Sequence, residues 1–261
     1  MTSGSAQVSL GELAERADEA ARTATAIAQF TNTVDLGVAD AYAIQAQSIG
    51  RRRQRGERLV GIKMGLTSRA KMAQVGVDEV IWGRLTDAMR VADGGTVSLG
   101  DYVHPRVEPE IAFLMGAPLA GAVSGAEALA AVAGVAPAAE IIDSRFENFR
   151  FSLPDVIADN SSSSGFVVGG WHDPSTAIGN LGMVLERNGR PTEIGSSAAI
   201  LGDPIRSLVE ASRMVADAGL TLEPGWIVLA GGATAALPLT VGDSIRVVVE
   251  ALGLVAFHVA A

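Results

Sequence analysis

Apolar residues at Leu10, Leu13, Ala17, Ala20, Ala21, Ala24 and Ile27 recur at steps of three and four. That spacing predicts an amphipathic helix running from about residue 10 to residue 30. A second helix is predicted over residues 38 to 53, with Asp40 near its start and Gly56 just past its end. After Gly56 the pattern changes to short apolar runs punctuated by Gly, Pro and Asp, which predicts strands near residues 59–64, 107–115, 138–142, 166–171, 182–187, 226–230, 244–250 and 253–259. The last two strands are separated only by Ala251 and Leu252, which suits either a closing hairpin or one bulged strand. Helical spacing returns near residues 125–133 and 204–218. The expected class is therefore α+β: a helical N-terminal region, residues 1–56, and a β-rich catalytic domain, residues 57–261.

Composition narrows the chemistry. With 261 residues and 48% hydrophobic content the chain can bury a sizeable core. A formal charge of -9 argues against a nucleic-acid partner, and the one basic cluster, Arg51 to Arg55, reads as the solvated end of a helix. No apolar stretch reaches the roughly 20 residues needed to cross a bilayer, and the first residues lack a signal-peptide pattern, so a cytoplasmic location is expected. There is no cysteine, so any metal must be held by oxygen or imidazole. Templates for a nucleophile elbow, a phosphate-binding loop and a dinucleotide fingerprint are missing.

The chemistry gathers in a few segments. In HPRVEPEIAFLM, Glu108 and Glu110 stand two residues apart in a predicted strand, so alternation sends both to one face. Two carboxylates so close repel unless a cation or a proton lies between them. A lone E-x-E reads as a solvated strand face, but Glu140 adds a third acid inside the apolar run PAAEIID, where an unpaired carboxylate is costly to bury. Three oxygen donors on rigid strands suit Mg²⁺ or Mn²⁺. Lys63 ends an apolar strand in GIKMGLTSRAKMAQVGVDE, where a solvated surface charge is the plainer reading. Thr67 or Ser68 is placed to cap a helix starting near Arg69, in a turn whose N–H groups suit a substrate carboxylate. Asp143 and Arg145 read as a buried pair fastening loops, and Asn160 and Ser161 as turn formers. The three histidines show no ligand spacing, with His104 nearest the acids. LAGGATAALP is a glycine-rich segment suited to lining a pocket.

Taken in order, KMGLTSRAKMAQVGVDE, HPRVEPEIAF, PAAEIIDSRFENFRF, VIADNSSS and GGATAALP resemble the hydratase and decarboxylase family of aromatic meta-cleavage pathways, within the fumarylacetoacetate hydrolase superfamily. The likeness spans roughly residues 35 to 260. It implies a β-rich fumarylacetoacetate-hydrolase-like core and a Mg²⁺ or Mn²⁺ ion held by Glu108, Glu110 and Glu140. It also implies an active-site role for Lys63 and for Asp78, whose position varies between Asp and Glu in the family. Substrate contacts are implied around Leu66, Thr67, Ser68, Ser161 and Thr234. Two activities are implied: decarboxylation of 2-oxo-3-hexenedioate (4-oxalocrotonate), or hydration of 2-hydroxypenta-2,4-dienoate. The DSRFENFRF run is similar to the decarboxylases, the hydratases tending to carry a D-W-K run there. A small 2-oxo dicarboxylic acid, a hydratase partner subunit and a homo-oligomer are the expected partners. A non-catalytic partner subunit is the contrasting reading.

Overall fold

The structure, a computed structural model, describes residues 8–68, 72 and 79–261. The first helix, α1 (Leu10–Arg22), is started by Ser9, whose hydroxyl accepts from the Glu12 N–H while the Glu12 carboxylate accepts from the Ser9 N–H. It stops well before Phe30, contrary to the sequence expectation. The Thr23 hydroxyl takes the Glu19 carbonyl, Ala24 turns left-handed at φ 48, and Ile27 is drawn into a bridge with Phe146. Tertiary pairing overrides the helical spacing. Helix α2 (Val38–Gln54) follows and lies against α1, where buried Asp18 accepts from Arg51 and Arg55. Part of the basic cluster thus ties the two helices together.

The remaining chain builds two sheets. Among the described residues the larger contains β1 (Leu59–Gly65), β2 (Ile81–Thr86), β3 (Arg90–Val91), β5 (Arg106–Met115), β6 (Val132–Ile142), β7 (Ser163–Val168), β10 (Ile227–Leu229) and β11 (Leu237–Pro238). Their order is β2-β1-β10-β5-β6-β7-β3, with β11 added along β5. The smaller sheet runs β4 (Thr96–Ser98), β13 (Gly253–Ala260), β12 (Ser244–Val249), β8 (Gly182–Arg187), β9 (Arg190–Ser196). Strands β12 and β13 form the closing hairpin, turning at left-handed Ala251. Helices α3 (Gly125–Ala130), α4 (Leu153–Ala158) and α5 (Pro204–Asp217) complete the α+β arrangement.

The two sheets share one core, in which Val107, Ile111 and Phe113 of β5 meet Val247 of β12 and Phe257 of β13. Alternation turns the intervening residues of β5 to the opposite face, over which Ile49 of α2 packs with Ala112, Ala136, Ala138, Phe166 and Leu229. Strand β6 begins at Val132, well ahead of its expected start, and α3 correspondingly ends at Ala130. Short β2 and α4, and exposed β9, escaped sequence reading because their apolar spacing is weak. No helix among the described residues is long and apolar enough to cross a membrane.

Candidate metal centre

Strand β5 presents Arg106, Glu108 and Glu110 in a row, and Glu140 of β6 stands directly opposite Glu108. The three glutamates offer carboxylate oxygens all within 4.8 Å of one another. Glu110 and Glu140 are completely buried and Glu108 is 7% exposed. Lys63 arrives on β1, joined to β5 through β10; its Nζ lies 3.1 Å from Glu140 Oε2 and donates to the Ser161 carbonyl at 3.0 Å. Among the described residues one ammonium meets the buried carboxylates of Glu110 and Glu140, which leaves that pair short of positive charge.

The orphaned oxygens say how that shortage is met. Glu110 Oε2 accepts the Gly231 N–H at 2.7 Å, but Glu110 Oε1 and both Glu140 oxygens have no hydrogen-bond donor among the described residues. Lys63 is near Glu140 as an ion pair rather than as an aligned donor. Burial, then the charge of Glu140, pushes the Glu110 carboxyl well above the usual range; burial also raises Glu140, with Lys63 pulling it back. A buried, all-oxygen donor set with unfilled lone pairs fits a hard divalent cation.

Glycines let the walls close on this cluster. A Cβ at Gly231, whose φ is +112, would sit 2.1 Å from Thr67 Oγ1, so only glycine brings its N–H to Glu110. At Gly83 a Cβ would lie 2.3 Å from the Asn160 carbonyl, where Asn160, Ser161 and Ser162 are successively left-handed. That unusual turn is fastened from several sides. Asn160 exchanges hydrogen bonds with the Arg84 backbone, the Ser161 hydroxyl donates to the Trp82 carbonyl at 2.7 Å, and Gln45 of α2 donates to the carbonyls of Trp82 and Ile157 at 3.0 Å each. Gln45 also accepts from Arg84, whose guanidinium lies 4.5 Å over the Trp82 ring and is held at about 10 by burial.

A cavity of about 900 Å³ opens over the cluster. Of the residues expected from sequence, Lys63, Leu66, Ser68, Glu108, Ser161 and Thr234 line it. Leu66 is left-handed at φ 55; Thr67 is buried against Gly231, and its hydroxyl has no partner among the described residues. Thr234 donates to the Ala235 carbonyl. Asp78 lies outside the described residues, and of the helix expected from Arg69 only Met72 is described, its N–H donating to the Ser68 carbonyl at 2.9 Å. The expected Asp143–Arg145 pair is corrected: Arg145 pairs with Asp159 at 2.5 Å, and Asp143 accepts the N–H groups of Val103 and His104. Arg145 faces the loop after α4, donating to the Asp159 carboxylate and backbone carbonyl. Burial raises Asp159 to about 6 against the pull of Arg145. His104 bonds the Ser144 carbonyl through Nδ1 and stays outside the acidic cluster. Sequence reading passed over Arg106, Phe149 and Ser162, which also line the cavity; the alternation that pairs Glu108 with Glu110 reaches Arg106 as well.

A two-sheet core carrying a buried carboxylate triad defines a metal-dependent enzyme class, and the sequence comparison assigns it: residues 63–260 match the fumarylacetoacetate hydrolase C-terminal model. The chain belongs to the fumarylacetoacetate hydrolase family. It is 56% identical to a 4-oxalocrotonate decarboxylase of Pseudomonas sp over 95% of this chain and 97% of that protein. It is 34% identical to a 2-hydroxyhexa-2,4-dienoate hydratase of Comamonas testosteroni over 92% and 93%. The solved 4-oxalocrotonate decarboxylase of Pseudomonas putida G7, complexed with magnesium and adipate, superposes with a TM-score of 0.93 at 39% identity, covering 96% of this chain and 97% of that one.

Proposed function

We propose that this chain is a divalent-metal-dependent decarboxylase of 2-oxo-3-hexenedioate, using Mg²⁺ or Mn²⁺. The observation that carries the reading is the convergence of Glu110 and Glu140 with Glu108, which lines the cavity, and the buried oxygens among them that have no donor among the described residues. The names and high identity of the decarboxylase relatives support the substrate. Glu108, Glu110 and Glu140 would hold the metal. When bound, it supplies Lewis-acid stabilisation of negative charge developing on a keto oxygen.

The chain's own residues do the rest. Cleavage of the C5–C6 bond releases CO₂, and its electron pair moves through the conjugated system to the C2 oxygen, leaving the dienolate of 2-hydroxypenta-2,4-dienoate. Lys63, fixed by the Ser161 carbonyl and Glu140, donates toward that oxygen or toward the adjacent C1 carboxylate, a positioned charge that needs no reorganisation as the electrons move. The backbone around Leu66 and Ser68, with Ser161 and Thr234, shapes the cavity wall on which the substrate rests. Asp78 is retained as an active-site acid on the family resemblance. Residues 1–56 are proposed as a helical region supporting the catalytic unit, and assembly with further copies and with a hydratase is part of the same reading, checked by light scattering of the chain alone and mixed with a hydratase.

The test is incubation of the Mg²⁺-loaded protein with 2-oxo-3-hexenedioate, following CO₂ and dienoate. CO₂ release that EDTA abolishes is expected. Hydration of 2-hydroxypenta-2,4-dienoate without CO₂ release from the diacid would move the chain to the second reading, which the hydratase relatives favour. Metal binding with no turnover of either compound would leave a non-catalytic subunit.

A further inference from the structure

The cavity has a second charged end. Arg106 precedes Glu108 by two residues on β5, so its side chain leaves the strand on the same face, displaced by about 7 Å along the strand axis. It is half-buried, lines the cavity, and has no carboxylate at ion-pair distance among the described residues. What holds it is an aromatic ring: its guanidinium lies 4.1 Å from the centroid of Phe149. Phe149 in turn meets His104 edge-on and Phe151 at a tilt, and both Asn148 and Phe149 are left-handed, at φ 58 and 56. A bulky aromatic in that conformation is unfavourable, and such outliers persist where the surroundings fix them for a use.

We propose that Arg106, steadied by Phe149, is the binding site for the second carboxylate of a dicarboxylate substrate whose 2-oxo acid end lies over the glutamates. The assignment rests on the decarboxylase reading for its substrate, and the physical argument is one of length and charge. A six-carbon diacid in extended form separates its terminal carbons by about 6 Å from ordinary bond lengths, close to the two-residue step between Arg106 and Glu108. A monocarboxylate leaves that cation unanswered. Arginine is suited to the task, since its planar fork meets a carboxylate with two parallel donors while its face stays on the ring. Ser162, whose buried hydroxyl lacks a partner among the described residues, lines the same cavity.

The departing group is the one Arg106 holds, so the ion pair stabilises the bound diacid and weakens as CO₂ forms. Its contribution therefore falls on substrate capture more than on the bond-breaking step. The experiment is calorimetric titration of the Mg²⁺-loaded full chain with adipate and with hexanoate, in wild type, Arg106→Gln and Arg106→Lys, alongside turnover of the diacid. Wild type should prefer adipate; Arg106→Gln should lose roughly 10- to 100-fold in adipate affinity with hexanoate changed by less than about threefold. Arg106→Lys should recover part of the loss, and the turnover defect of Arg106→Gln should sit in KM. Equal weakening of both ligands would mark Arg106 as structural and overturn the assignment, as would adipate binding that Arg106→Gln leaves intact. These binding outcomes separate from the functional reading: a protein that prefers adipate through Arg106 but releases no CO₂ refutes the decarboxylase and keeps the carboxylate site.

Discussion

Glu110 shows most directly how a single residue sets the chemistry. It is fully buried, beside Glu140, and has one N–H donor from Gly231. Such a carboxyl keeps its proton well past the ordinary range, so the metal-free native state binds more protons than the unfolded chain above about pH 4.5 and loses stability as pH rises toward the raised value. A cation reverses that trend by replacing the proton. Titration of the metal-free protein with Mg²⁺ should therefore release protons and bind more tightly as pH rises above the ordinary carboxylate range; affinity independent of pH would show that Glu110 is already ionised without metal. Replacing Glu110 or Glu140 with Gln should lower metal-dependent turnover by at least about 100-fold, measured as CO₂ release at saturating Mg²⁺. Lys63→Ala should lower turnover while Mg²⁺ still binds, measured by calorimetry.

Between elements, the key joint is where α2 meets β2 and the turn after α4. Gln45 is completely buried and its amide links the Trp82 and Ile157 carbonyls, so the N-terminal helices reach the turn that fixes Lys63. Gln45→Ala takes a donor from the Ile157 carbonyl and an acceptor from the buried Arg84, leaves the Trp82 carbonyl with the Ser161 hydroxyl, and is expected to cost about 2–4 kcal/mol in chemical denaturation. Gly231→Ala should be comparably damaging, because the new methyl group meets the Thr67 hydroxyl. These joints also explain what sequence reading reached. Glu108, Glu110 and Glu140 were legible because strand alternation and an acid in an apolar run are local signals. The Arg145–Asp159 pair, the end of α1 and the setting of Arg106 on Phe149 were not, since each depends on chain segments meeting across the fold. The family resemblance carried the reading of Lys63, which by position alone looks like a surface charge.

At the scale of the whole molecule, stability and site are one problem: the smaller sheet packs on one face of β5 while the opposite face carries a cluster that repels itself. Saturating Mg²⁺ at about 100 times its dissociation constant should raise the melting temperature by roughly 5–10 °C over the EDTA-treated protein, read by calorimetry. No shift would mean the acids are balanced without a cation. The pairing of β5 with β6 runs in continuous register from Arg106–Ile142 through Glu108–Glu140 to Leu114–Gly134, and shifts only beyond it, at Met115. Loss or gain of one residue within that stretch would swing every glutamate into the intersheet core and every core side chain into the cavity. Length variation between relatives should consequently fall outside β5 and β6, and a one-residue deletion library across the chain should be empty of soluble, metal-binding members in this hairpin while tolerating losses in exposed turns such as Asn188–Gly189.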